Sequence, residues 1–455
     1  MGIMAARFKN IDRQTPLLLP PDLRDWVPED DMVHFVIGAV EGLPTKSFKV
    51  NRRGTGSAQY PPGTMLALLI YCYANGIFSS RRIERATYRD VAVRYLTADT
   101  HPDHSTICAF RTDNEEAIAE AFLHVLKLAR KMGVLKVGTV SVDGTLLDAN
   151  ASQYRNVSYE RAQELEKKLQ GDIEELLQKA EEADREDADD GQKLPEEISR
   201  RQKLLQKMRK AQRDLEEKAR RRAEREQEAY QEKLRAREER PGSRKGPPPK
   251  PPKEAPEPDD QVNMTDPDSN IMRKNVRKEY RQSYNGQAAV DASGSQMVLA
   301  TGVTDSSSDR DQLVPTVKEI SETLEKPGAV LADTGYCSRD AIKTLEESGI
   351  DPYVSIGAEQ DHTERTYEFR PHGKGRSSKR ITDPVLLDMK EKLESDAGRR
   401  IYAKRKMTVE PVFGIIKHVM GFRQFLLRGL GKVRSEWRLV CLAYNVKRLF
   451  SLAQG

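Results

Sequence analysis

The stretch Val137-Gly138-Thr139-Val140-Ser141-Val142-Asp143-Gly144-Thr145 decides the fold. Small or polar residues alternate with β-branched ones up to Val142, the period of a strand with a buried face. The run ends on an acid and a glycine, so it reads as a strand delivering Asp143 to its end. Nothing upstream has this texture. Residues 1–130 carry apolar side chains at spacings of three and four, as in 117–128, with caps expected at Thr64, Ser79 and Asp103, and predict an all-α domain. Arg81, Arg82, Arg85 and Arg89 follow its most apolar helix and could meet a phosphate backbone or simply form a solvated face.

Downstream, residues 158–240 are almost wholly Glu, Lys, Arg, Gln, Ala and Leu, a helix-forming composition with little to bury. Leu165, Leu169, Ile173 and Leu176, then Leu204, Met208, Ala211 and Leu215, form two narrow apolar seams and predict an antiparallel helical hairpin. Residues 241–260 hold eight of the 24 prolines and predict an extended, disordered linker. Strand texture resumes at 283–290, 297–303, 329–332 and 353–356, with a helix expected over 309–324. One strand precedes the charged segment and four follow it, which is an α/β order. A strand ending at Asp143 cannot stand alone. Residues 131–157 and 261–455 must therefore form one domain, with the hairpin (158–240) and linker (241–260) inserted into it. The basic stretch 358–380 predicts a DNA-facing loop. The last segment, 399–450, reads as helices with basic residues around an apolar stripe containing Val412, Ile415, Ile416 and Val419.

Composition narrows the function. The 76 Lys and Arg face 71 Asp and Glu, so the net charge of +5 hides two large opposed populations. Four scattered cysteines without CxxC spacing read as reduced thiols of a cytoplasmic protein. The longest apolar run, 65–78, is too short to span a membrane. The seven histidines lack zinc-ligand spacing. Gly-x-Ser-x-Gly, Walker and dinucleotide motifs are absent, which disfavours acyl transfer and nucleotide dependence.

Three acids stand out by context: Asp143 and Asp333 at strand ends, and Glu410 on a basic helix. Singly, each has an ordinary explanation, a turn residue for the aspartates and a solvated acid for Glu410. Together they fall where an α/β sheet gathers ligands, and carboxylates suit the hard divalent cations that assist phosphodiester cleavage.

At these residues the chain resembles the DDE transposases of bacterial insertion sequences, most closely the insertion sequence eleven-eighty-two group. Val-Ser-Val-Asp143-Gly144-Thr145 is similar to the first-acid strand, Leu-Ala-Asp333-Thr334-Gly335-Tyr336 to the second-acid motif, and Val409-Glu410-Pro411-Val412-Phe413-Gly414-Ile415-Ile416-Lys417 to the third. Family members carry Tyr, Arg, Glu and Lys at fixed spacing around the last acid. Glu410 and Lys417 match, whereas Ala403 and Lys406 stand where Tyr and Arg are expected, with Tyr402 and Arg405 one residue away.

The resemblance implies a ribonuclease-H-like core with a mixed five-stranded sheet, and an N-terminal domain that recognises element ends. It implies Asp143, Asp333 and Glu410 as ligands of two Mg2+ (or Mn2+) ions, and Tyr402, Arg405, Lys406, Lys417 and Arg423 as DNA contacts. The implied partners are double-stranded DNA, as terminal inverted repeats and target, and a second copy when DNA-bound, with no membrane and a cytoplasmic, nucleoid-associated location. Two other readings stay open: a nuclease with this core that never transfers strands, and an inactive DNA-binding coiled-coil protein. The hairpin is either a solvated spacer or an arm that pairs subunits or holds DNA.

Overall fold

A computed structural model describes residues 22–43, 45–50, 58–186, 194–238, 248–273, 279–356 and 383–454. The expected DNA-facing loop at 358–380 and the turn between the hairpin helices lie outside the described residues. The chain divides into two compact units, Met1–Leu128 with Leu442–Gly455, and Ala129–Cys441.

The first unit is helical. Its helix Pro62–Ala74 is buried at every residue from Met65 to Ala74. A helix apolar all round must be surrounded by its neighbours. It starts on prolines, so Thr64 lies inside the first turn and is not the cap. Ser79 stands at an N-cap without a capping bond, whereas Asp103 accepts from the Ser105 and Thr106 amides at 2.8 and 3.0 Å. Among the described residues, no helix is long and apolar enough to cross a membrane.

The second unit is built on strands β1 (Thr139–Asp148), β2 (Asn156–Ser158), β3 (Gln261–Asn263), β4 (Asn270–Arg273), β5 (Tyr280–Asp291), β6 (Val298–Thr304), β7 (Ala329–Ala332) and β8 (Asp351–Val354). The main sheet runs β4-β5-β1-β7-β8, with β6 also on β5. It has six strands where five were expected, because β4 adds to the first residues of β5. β1 is the hub, antiparallel to β5 and parallel to β7, and β7 is parallel to β8. The sheet is therefore mixed. β1 also runs five residues beyond its expected end, since Gly144 through Asp148 stay paired with Gln287 through Ser283. Asp143 is thus mid-strand. What stops there is the parallel neighbour: Val142 pairs with Ala332, the last residue of β7.

Ser158 of β2 pairs with Gln261 of β3, so the intervening segment leaves and re-enters the core at one point. The helices Tyr159–Glu186 and Leu194–Glu238 run antiparallel, as contacts at Tyr159–Glu216, Glu166–Arg209 and Asp172–Arg201 show. Val157, Ala162, Leu169, Met208, Ala211, Leu215 and Val262 form one apolar cluster that welds the hairpin base to β2 and β3. Leu204 is exposed, and Leu205 packs in its place. The described end of the proline-rich segment is tied down, contrary to a disordered linker. Tyr159 and Glu160 donate to the Asp260 and Pro258 carbonyls, and Arg222 pairs with Asp260 at 3.2 Å.

The helix Asp396–Gly414 contains Pro411, which has no amide to give the Met407 carbonyl. The side-chain amide of Gln296 supplies that bond at 3.0 Å. A π-helical turn, Ile415–Val419, follows, a feature frequent at functional sites.

Candidate active site

The register of β1 and β7 assembles the site. Asp143 and Asp333 each follow the paired residues Val142 and Ala332, so neighbouring strands carry them forward side by side. Backbone amides fix both: Gly144 N–H donates to Asp143 Oδ1 and Gly335 N–H to Asp333 Oδ1, each at 2.8 Å. The second Asp143 oxygen accepts from Arg405 Nη1 at 3.2 Å in an ion pair whose side chains are 17% and 10% exposed.

A third acid joins them. Asp309, in the connection after β6, accepts from the side-chain amides of Asn285 at 2.7 Å and Gln287 at 2.6 Å. Tyr336 donates its hydroxyl to Gln287, and the Trp437 indole donates to the Gln287 carbonyl at 2.9 Å. A Cβ on Gly335 would lie 3.0 Å from Asp333 Oδ1 and 3.3 Å from Asp309 Oδ2. Sequence reasoning missed Asp309, taking it as the start of a helix that in fact begins at Leu313. The available signal was its place among serines directly after a predicted strand.

Electrostatics follow from this crowding. Burial pushes the Asp143 carboxyl up to about 7; Arg405 opposes the rise, while the charges of Asp333 and Asp309 add to it. Burial likewise raises Asp309, against its two amide donors and with the Asp333 charge. Buried carboxylates that repel one another are the donor chemistry a hard divalent cation relieves. Among the described residues, though, no group of three or more Asp, Glu, His or Cys side chains is arranged to hold a metal ion, this cluster included.

Glu410 is exposed on the Asp396–Gly414 helix, and among the described residues no hydrogen bond or ion pair holds it. The structure thus brings Asp143 and Asp333 together with Asp309 and leaves Glu410 facing solvent. Of the expected DNA contacts, Arg405 is buried against Asp143, and Tyr402 donates to the Ala332 carbonyl at 3.4 Å. Lys417, in the π turn, donates to Thr145 Oγ1 and, at 3.0 Å, to the Leu146 carbonyl. Lys406 is exposed, and Arg423 donates to the Lys417 carbonyl at 3.0 Å. In the first unit Arg81, Arg82, Arg85 and Arg89 are all exposed.

Gly144 has no room for a side chain. An added Cβ would meet Gln287 Nε2 at 2.6 Å, Asp309 Oδ1 at 2.7 Å and Asn285 Oδ1 at 2.8 Å. Gly144→Ala is expected to displace the Asp309 network and cost about 1–3 kcal/mol, read as a lowered denaturation midpoint at unchanged m-value. A midpoint within error of the parent would show that the network has slack.

Residues 256–446 match the Transposase DDE domain, and residues 21–113 match the Transposase domain (DUF772). No curated protein and no solved structure matches the chain. The two matches support an insertion-sequence transposase. The DDE domain implies a ribonuclease-H-like fold, a DNA substrate and, as is general for that family, divalent-metal dependence. β1 lies before the matched residues, but its pairing with β5 and β7 makes it part of the same sheet.

Proposed function

We propose, with the two transposase-domain matches as premise, that this chain cleaves DNA at the ends of an insertion sequence and joins the freed 3′-hydroxyl to target DNA. Asp143, Asp333 and Glu410 are its acidic triad. The observation that carries this reading is the Val142 to Ala332 register, which sets two acids 190 residues apart in sequence beside each other. Support for Glu410 is indirect. Its helix and the π turn that follows are anchored to β1 on either side of it in sequence, by Arg405 at Asp143 and by Lys417 at Thr145 and Leu146. Glu410 lies between these two anchors in sequence, with its carboxylate exposed.

Asp143, Asp333 and Glu410 would hold Mg2+ or Mn2+, two ions being expected. Such ions activate the attacking oxygen and stabilise charge on the phosphate. The chain's own groups do the rest. Arg405 and the Gly144 amide fix both oxygens of Asp143, which favours a positioning role for Arg405 over a DNA contact. Of the expected DNA contacts, Lys406 and Arg423 are the exposed cations, and they are the ones to hold phosphates. Asp309, held by Asn285 and Gln287, adds a third carboxylate beside Asp143 and Asp333. Binding of terminal repeats by the helical first unit, and pairing of two copies on DNA, belong to the same reading.

The test is incubation with labelled element ends, supercoiled plasmid and Mg2+. Joined products support transposition, whereas hydrolysed ends without joining indicate a nuclease. No metal-dependent cutting would leave a DNA-binding protein.

A further inference from the structure

The hairpin is electrically lopsided. Helix Leu194–Glu238 carries 15 Lys and Arg against 10 acids, and helix Tyr159–Glu186 carries 5 against 10. On the basic helix, six cations, Arg200, Lys203, Lys207, Lys210, Arg221 and Arg225, share one face on positions that step by three and four, with Asp214 and Lys218 at the positions between Lys210 and Arg221. All six are exposed. At 1.5 Å per residue the row is about 37 Å long, close to one turn of duplex DNA at about 34–36 Å. Its only acid is Asp214, which Lys210 and Lys218 flank.

Three cations elsewhere on this helix are already matched. Arg201, Arg209 and Arg222 pair with Asp172, Glu166 and Asp260. In the row, among the described residues, only Arg221 has an ion pair, an exposed one with Glu217. The arm is also fixed: the apolar cluster with Val157 and Val262, the Arg222–Asp260 pair and the Lys218 bond to Asn270 at 3.1 Å hold its base to the core.

From this we infer that the hairpin is a DNA-holding arm, laying the Arg200–Arg225 row along the phosphate backbone of a duplex without reading its sequence. The inference rests on the transposase reading. The row contains no aromatic residue, so stacking on single-stranded bases is not its chemistry. Cations aligned on one face of a rigid rod suit phosphate contacts, which position DNA and supply affinity by counterion release. The acidic partner helix repels the same backbone, so only one edge of the arm can face it.

The full-length protein is titrated with a duplex of arbitrary sequence over a salt series. The variant carries Lys203→Gln, Lys207→Gln, Lys210→Gln and Arg221→Gln, and a charge-matched control carries Lys167→Gln, Lys168→Gln, Arg213→Gln and Arg220→Gln. The row variant should lose about 10²–10³-fold in affinity near physiological salt, and its log-log salt slope should become shallower by about 3.6, at roughly 0.9 for each of the four phosphate contacts. The control should stay close to the parent. Equal losses in both variants would mean net charge alone, and no loss in the row variant would remove the arm from DNA; either overturns the inference. So would dissociation of a dimer with DNA affinity unchanged, which would assign the row to a second copy. Cleavage of element ends is measured in parallel. If the parent cuts and the row variant binds as the parent does, only the arm is wrong; if the parent neither binds nor cuts, the transposase reading falls with it.

Discussion

Asp143→Asn is expected to abolish metal-dependent DNA cleavage while DNA binding stays within about twofold of the parent. The carboxylate sits where β1 passes the end of β7, beside Asp333 and Asp309. Replacing it with an amide leaves the shape and removes a charged oxygen that a hard cation requires. Cation stabilisation of phosphate charge is worth several kcal/mol, and about 4 kcal/mol is a thousandfold in rate. The fold should survive because two effects oppose: Arg405 loses its anion, while Asp333 and Asp309 lose a repelling neighbour. Gel cleavage assays at saturating DNA, with a binding titration of the same preparation, check this. Cutting at the parental rate would remove Asp143 from the site.

Arg405→Met should produce the largest loss of stability, with a characteristic pH dependence. Breaking a buried pair leaves its partner charged and unmatched, at a cost of about 3–5 kcal/mol. The sign follows from Asp143, whose folded carboxyl is raised from 3.8 to about 7. A raised acid is more readily protonated in the folded state than in the unfolded chain, so this group's contribution to stability declines as pH climbs from about 4 to 7. Well below pH 7 the folded Asp143 is already neutral, and losing Arg405 costs little. Above pH 7 the parent keeps an ion pair, whereas the variant must either bury a lone carboxylate or protonate it. Denaturation midpoints at pH 5.5 and pH 8.5 should therefore diverge, with the deficit of about 3 kcal/mol confined to the alkaline side. An equal deficit at both values would mean that packing of the Arg405 stem, not its charge, is what matters.

Much of the architecture was legible because local texture and global order agreed. The alternation through Val142, the strand at Ala329–Ala332 and the seams of the charged segment each specify one element type, and the placement of one strand before the insertion forces the two halves together. Pairing partners were less legible. Asp143-Gly144 looks like a strand end, yet β5 is long enough to hold β1 as far as Asp148, so the acid lies mid-strand and the end that matters belongs to β7. β4, Asn-Ile-Met-Arg, is as short as β7 but lacks its continuous apolar run. In the site, Asp309 was hidden because an acid before a helical pattern resembles a cap. What distinguishes it is contact with Asn285 and Gln287 of β5, and no spacing along the chain encodes that. The choice between Arg405 and Lys406 was also undecidable by spacing; packing of the helix against β1 turns Arg405 inward.

The decisive observation concerns the acid that the fold leaves in solvent. Parent and Glu410→Gln are compared on one end-containing duplex, with Mg2+ and with a chelator, at equal DNA occupancy. The triad predicts cutting by the parent only with Mg2+, and a fall of about a thousandfold in the variant with binding unchanged. Cleavage by Glu410→Gln at the parental rate would contradict it, and would shift the search for the third ligand to Asp309.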